Sequence, residues 1–279
     1  MPTKKPNPAE LLSLNEVAEK LGVHYMTAYR YVRLGILPAT QQGRSWVVRS
    51  DDLDAFTADD GEAKPSKRGE ANWPERLYNR MIAGDESGAW AVVEAAMASG
   101  MTGPEVYTKL LVPTLRDVGE KWETGEIDVA DEHAASRVAG RMIARLGPKV
   151  APRGVRRGTI VLGSTAKELH GLPLSIAADL FRSARFNVID LGPNLPPASF
   201  AKAVAGADDV VAVALGVTMT RQDKAIRDTI EAIREVSDAP IILGGGGSTA
   251  AKAEKLGADG YTATAEDAIA AFEEILANR

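Results

Sequence analysis

The chain has 279 residues, 45% of them hydrophobic and 25% charged, with a net charge of -5 and no cysteine. That length suffices for about two domains with real cores, and the lack of cysteine excludes disulfides, thiolate catalysis and cysteine-held metals, leaving His, carboxylates or a prebuilt cofactor to carry any metal. No apolar run approaches the roughly 20 residues of a membrane span, and MPTKKPNPAE lacks the apolar centre of a signal peptide, so a cytoplasmic protein with no membrane partner is expected.

The charge is uneven. Residues 1–50 carry seven Lys or Arg against three acids, a local balance of +4 that leaves -9 for the rest. One end is suited to meet an anion. In that end Leu14, Val17, Ala18 and Leu21 recur at helical spacing, Gly22 breaks the pattern, and a second helix begins near Tyr25 with Ala28, Val32 and Leu34 inward. Two short helices about a Gly turn predict a helix-turn-helix, the second helix showing Thr27, Tyr29, Arg30 and Arg33, with His24 and Tyr31 nearby, to bases and phosphates. TQQGRSWVVRSDDLDAF then reads as a Gly-turned ribbon with Arg44 and a closing helix. Residues 1–57 are therefore expected to form a winged helix-turn-helix that binds double-stranded operator DNA, the alternative being a small helical domain for protein contacts, and the polar, Gly- and Pro-marked residues 58–72 are expected to form a linker. The head resembles the excisionase-like, winged branch of the MerR superfamily, without the Trp-Arg-Arg-Tyr type of segment common in MerR heads.

Four helical patterns with short Gly-marked loops fill residues 73–150 and predict an antiparallel four-helix bundle. Over residues 155–279 the pattern alternates: TIVLGS, FNVIDLG, VVAVALGV, IILGG and GYTA read as strands separated by helices. This predicts a Rossmann-like, doubly wound parallel five-stranded sheet, and an overall class of multi-domain α and α/β.

Few residues here carry chemistry, and none reads as catalytic, so a binding protein rather than an enzyme is expected. His170, one of three histidines, stands between the first strand of the sheet and its helix, at the carboxyl edge where open α/β folds hold ligands. A histidine there either caps the helix from the surface or presents its ring to a ligand. Glu168 two residues before it supplies a carboxylate able to orient the ring. Gly171 follows closely, Gly216, Thr218 and Thr220 mark the end of the third strand, and Gly244, Gly245 and Gly246 with Gly247 follow the fourth. In the bundle, WETGEIDVADEH separates Trp122 from Glu132 and His133 by nine residues, near one end of the last two helices.

A bundle followed by such a sheet with acid-x-His in its first loop resembles the cobalamin-binding module of methionine synthase and related corrinoid proteins. That resemblance implies that His170 ligates cobalt from below, that Glu168 orients it, and that the glycine and threonine positions border the displaced nucleotide tail. Pro173 stands where the family pattern has glycine, and Gly216 where it has serine. Trp-x9-Glu-His downstream of a DNA-binding head is similar to CarH-type light-sensing repressors. By that resemblance the cofactor is adenosylcobalamin, Trp122 and Glu132 cover its upper group, and His133 takes the cobalt after light removes it. A homo-oligomer, dimer or tetramer in the dark, then comes apart and releases DNA. Two alternatives stay open: a corrinoid carrier for methyl transfer, and a repressor that senses another tetrapyrrole or a nucleotide.

Overall fold

The computed structural model describes residues 11–22, 25–33, 37–42, 45–59 and 72–277 and divides them into two compact units, before and after residue 72. In the first unit β1 (Leu11–Ser13) leads directly into α1 (Leu14–Leu21), followed by α2 (Tyr25–Arg33), β2 (Thr40–Gln42), β3 (Ser45–Arg49) and α3 (Ser50–Asp59). Ser13 ends the strand and starts the helix at once: its hydroxyl accepts from the Glu16 N–H while the Glu16 carboxylate accepts from the Ser13 N–H at 2.7 Å, a reciprocal cap. Gly22 closes α1 in the left-handed region, as the turn requires. The sheet is antiparallel in the order β1-β3-β2. Its core is Leu12, Leu14, Val17, Ala18, Ala28, Val32, Leu37, Val48 and Leu53. β1 has no counterpart in the reading of the sequence, where the first helical pattern begins at Leu14, and α3 extends two residues into the segment read as linker.

The second unit begins with Asn72, whose side chain caps α4 (Trp73–Ile82). α5 (Glu86–Ala98) follows, and then one long helical rod: α6 (Gly103–Glu105), a π-helical stretch (Val106–Leu111) and α7 (Val112–Thr124). The wide turn has a cause in the sequence. Pro113 cannot donate a hydrogen bond and its ring would press on the carbonyl four residues back, and a π turn just ahead relieves that crowding; the Val112 N–H donates to Tyr107 O, five residues back. α8 (Val129–Val150) completes the bundle, whose core runs from Leu77 and Met81 through Trp90, Val93, Tyr107 and Leu111 to Met142 and Leu146.

Five parallel strands then alternate with helices: β4 (Thr159–Ser164), α9 (Leu172–Ser183), β5 (Asn187–Asp190), α10 (Pro197–Ala205), β6 (Val210–Gly216), α11 (Asp223–Arg234), β7 (Ile241–Gly244), α12 (Ala250–Leu256), β8 (Gly260–Thr262) and α13 (Ala265–Ala277). The order across the sheet is β5-β4-β6-β7-β8. Successive strand residues face opposite ways, and both faces are apolar. Ile160, Leu162, Ala212 and Ala214 pack under α9 and α13. Val161, Val213, Leu215 and Leu243 pack under α10, α11 and α12.

Bundle and sheet share one core, because Ile176 and Leu180 of α9 belong to the bundle cluster. α8 and α9 lie side by side in the same sense: a Cβ at Gly140 would come 3.6 Å from Leu172, and one at Gly147 would come 2.6 Å from Asp179. Glycine at 147 is thus required for this close approach. Tyr107, from the π turn, is fully buried and donates its hydroxyl to Asp179 at 2.6 Å, a polar link across the junction. Burial first, then the hydrogen bond to Asp179 and its charge, push the Tyr107 hydroxyl well above the ordinary phenol range, so it stays a donor.

Candidate functional site

The first βα loop is tightly built. Lys167 adopts a left-handed conformation that turns the chain, and its N–H donates to the Asn194 side chain of the next loop at 2.8 Å. Glu168 then points inward, only 1% exposed. One carboxylate oxygen accepts from the Thr218 and Met219 N–H groups at 2.9 and 2.8 Å, and the other faces His170 Nδ1 at 2.5 Å. Burial pushes the Glu168 carboxyl up, but hydrogen bonds from Met219, the His170 ring, Thr218 and the His170 N–H together hold it below the usual carboxylate range. An ionised Glu168 fixes Nδ1 as the protonated nitrogen and leaves Nε2, with its lone pair, on a ring whose side chain is 51% exposed. The helix-capping alternative is not what the structure shows: the ring bonds to Glu168, and α9 has no side-chain cap.

The departures at Pro173 and Gly216 have local reasons. Pro173 sits in the first turn of α9, where its missing N–H costs nothing. At Gly216 a Cβ would come 2.6 Å from Leu174 and 2.9 Å from the Ser164 hydroxyl, which donates to the Gly216 carbonyl at 2.8 Å. The hydroxyl at this edge thus comes from β4 rather than β6. Thr218 contributes its N–H, and its side chain, like that of Thr220, is exposed. Gly171 lies 3.6 Å or more from its neighbours and is not demanded by space. Gly245 and Gly247 are demanded: Cβ atoms there would meet the backbone of Val217 and Met219 at 2.6 and 2.5 Å. Gly246 leaves open room, a Cβ at Gly244 would make ordinary contact with Thr262 at 3.8 Å, and beside this turn the hydroxyls of Ser248 and Thr262 are buried with no hydrogen-bond partner among the described residues. The sequence reading does not single out Ser164, Ser248 or Thr262; their position at carboxyl ends of strands is the signal that could have done so.

A second group of candidate residues lies at the end of the bundle. Gly140 of α8 touches the start of α9, so Glu132 and His133, two turns earlier, stand about 10 to 12 Å before that contact along the helix axis. Trp122 lies in the last turn of α7, which a short turn joins to α8, and is 48% exposed, which excludes a role as a bundle-core aromatic. His133 is 72% exposed in its side chain. The Glu132 carboxylate bends back to His133 Nδ1 at 2.7 Å and accepts from the Ser136 hydroxyl at 2.6 Å. Exposed large apolar side chains gather at the same two places, Trp122 and Val129 on the bundle end, Leu169 and Met219 around His170. Two apolar surfaces, each with an imidazole, suit a flat macrocycle rather than a bare ion; among the described residues no three ligating side chains cluster to hold a metal directly.

In the head, Tyr29 is half-buried and stacked on Tyr25, and Tyr31 packs on Phe56. The side chains of Thr27, Arg30 and Arg33, and His24, Leu34 and Arg44 entirely, lie outside the described residues, as do residues 60–71 of the expected linker. No helix among the described residues is long and apolar enough to cross a membrane.

Comparison with known proteins follows this division. Residues 73–146 and 158–273 each match a B12 binding domain family, and residues 11–60 match a helix-turn-helix domain. A corrinoid protein of Desulfitobacterium hafniense is 28% identical over 208 residues, covering 72% of this chain and 96% of its own. The dimethylamine corrinoid protein of Methanosarcina barkeri is 28% identical over 210 residues, covering 73% and 97%. The structure of the Methanosarcina barkeri monomethylamine corrinoid protein superposes with a TM-score of 0.64 at 19% identity, covering 71% of this chain and 96% of that one. Cobalamin-binding domains thus account for the second unit, and a helix-turn-helix motif precedes them.

Proposed function

We propose that the chain is a cobalamin-dependent transcriptional regulator in which the second unit holds the corrinoid and the head holds operator DNA. One observation carries this reading: domains of both kinds stand in one chain, while relatives named as corrinoid proteins are spanned almost end to end by 72–73% of it. The remaining head has no part in that likeness.

The residues present fit the cofactor. His170, with its tautomer set by buried Glu168, would supply a nitrogen ligand to the cobalt, Leu169 and Met219 flank it, and the Ser248 and Thr262 hydroxyls near Gly244 and Gly246 would offer hydrogen bonds to a polar tail. Trp122 and Val129 close the upper side, and Glu132 and His133 supply a carboxylate and a second imidazole there. Cobalamin, when bound, brings a cobalt whose upper ligand is exchangeable and, in the adenosyl form, released by light. The chain's own part is to hold the lower nitrogen rigidly and to keep the upper imidazole in reserve on Glu132. A change in what the upper residues touch alters the packing of bundle on sheet and hence the association of copies, and paired heads bind DNA by avidity.

The names of the relatives favour a second reading, a corrinoid carrier for methyl transfer, and for the second unit taken alone they support it better than light sensing. One experiment separates the two. The full chain is reconstituted with adenosylcobalamin in the dark, and its spectrum, size-exclusion mass and binding to duplex DNA are recorded before and after green light. A regulator changes mass and DNA affinity with illumination. A chain that binds the cofactor but no duplex, with unchanged mass, is a carrier.

A further inference from the structure

One charged feature of the second unit plays no part in that function. Residues 133–167 contain eight Lys or Arg and no Asp or Glu, within a part of the chain whose balance is otherwise acidic. Four of them, Arg137, Arg141, Arg145 and Lys149, follow each other at i+4 along α8, which keeps neighbours about 40° apart around the axis and spans about 18 Å. All four are exposed, as are Arg153 and Arg156 just beyond the helix. Arg141 pairs with Glu86 at 2.9 Å, but Arg137, Arg145 and Lys149 form no ion pair among the described residues. Arg145 and Lys149 instead lie over the ring of buried Trp90, 3.9 and 4.8 Å from its centroid. The cationic groups themselves rest on the ring face while both residues stay exposed, so their positions are restrained, which lowers the entropy lost on meeting an anion.

An ordinary solvated helix mixes its signs, as α11 does with Lys224 bonded to Asp228 one turn away. A row of one sign at regular spacing suits a partner that is itself one sign at regular spacing. We infer that the α8 stripe of Arg137, Arg145 and Lys149 binds the phosphate backbone of duplex DNA, a sequence-independent contact additional to the helix-turn-helix. This inference rests on the DNA-binding half of the proposed function.

The test compares three forms of the full chain on a mixed-sequence DNA duplex across a salt series: the parent, an Arg137→Gln/Arg145→Gln/Lys149→Gln variant, and a control, Lys202→Gln/Lys224→Gln/Lys255→Gln, that removes equal charge elsewhere. Losing three phosphate contacts lowers the slope of log affinity against log salt by about 2.7, so between about 50 and 200 mM salt the parent loses roughly 40-fold more affinity than the stripe variant. The control keeps the parent's slope. Equal slopes in all three overturn the inference, and so does an equal loss in both variants, which marks a general charge effect. A stripe variant that dissociates on size exclusion with its slope unchanged overturns it too, assigning the stripe to contact between copies. If the parent itself binds no duplex, both this inference and the DNA-binding reading fail; if only the stripe variant matches the parent, the head reading stands.

Discussion

The loop around His170 and the bundle end around His133 each pair a histidine with a glutamate, yet they are built differently. At His170 the glutamate is 1% exposed and takes four hydrogen bonds, three from backbone N–H groups on two loops, so the ring is locked from behind. At His133 the pair is at the surface, and the glutamate is held by the neighbouring ring and one serine hydroxyl. Under the proposed function, rigid support behind one imidazole and loose support behind the other suit a site with one permanent and one exchanging ligand.

The largest effect expected from this contrast is at His170. His170→Ala should remove the nitrogen-coordinated form of bound cobalamin, seen as a base-off absorption spectrum; an unchanged spectrum would take His170 off the cobalt. Glu168 comes next. Glu168→Gln keeps the shape but loses the charge, and cobalamin affinity should fall about 10- to 100-fold, measured by titration. Because the folded Glu168 carboxyl titrates below its ordinary range, its contribution to stability is present above the unfolded carboxylate pKa of about 4.3 and is lost as pH falls through the lower folded value. The parent should lose stability in that acid window, and the Gln variant should show a flatter profile there by thermal melting.

A third effect tests the junction rather than either ligand. Tyr107→Phe removes the donor to buried Asp179 and should cost about 1–3 kcal/mol, read as a melting temperature lowered by several degrees. A variant as stable as the parent would mean that Arg182, 3.0 Å from the other Asp179 oxygen, satisfies the carboxylate alone.

How much of this was legible in the chain depended on whether the signal was local. Strand and helix periods, the short loops of the bundle and the acid-x-His spacing are local, and all five strands of the parallel sheet and the four bundle helices stand where those patterns lie. Glu168 as a partner for His170 could be read two residues away. Its other partners, Thr218 and Met219, are fifty residues on and act through backbone N–H groups, which carry no side-chain signature. β1 was missed because three residues paired to β3 have too short a pattern to outweigh the helix that follows. The π turn was foreshadowed by Pro113 within a helical pattern, but its product, a tyrosine placed against α9, is a tertiary fact.

The smallest effect on the resting protein should come from His133. Its exposed pair with Glu132 contributes little to folding, since solvent screens both charges and two mobile side chains lose entropy in meeting, so His133→Ala should move the melting temperature by less than about 3 °C. Binding of adenosylcobalamin in the dark should also survive, because the rigid nitrogen is His170. The same change should be decisive after illumination. Nδ1 of His133 is occupied by Glu132, which leaves Nε2 to reach the cobalt, so the variant should lack the spectrum of a cobalt held by two imidazoles and should relax more readily when the light is removed. Glu132→Gln should fall between, keeping the imidazole but loosening its orientation. If His133→Ala gave the parent's illuminated spectrum, the looseness of this end would be only that of a solvated helix terminus, and the contrast with the His170 loop would carry no functional meaning.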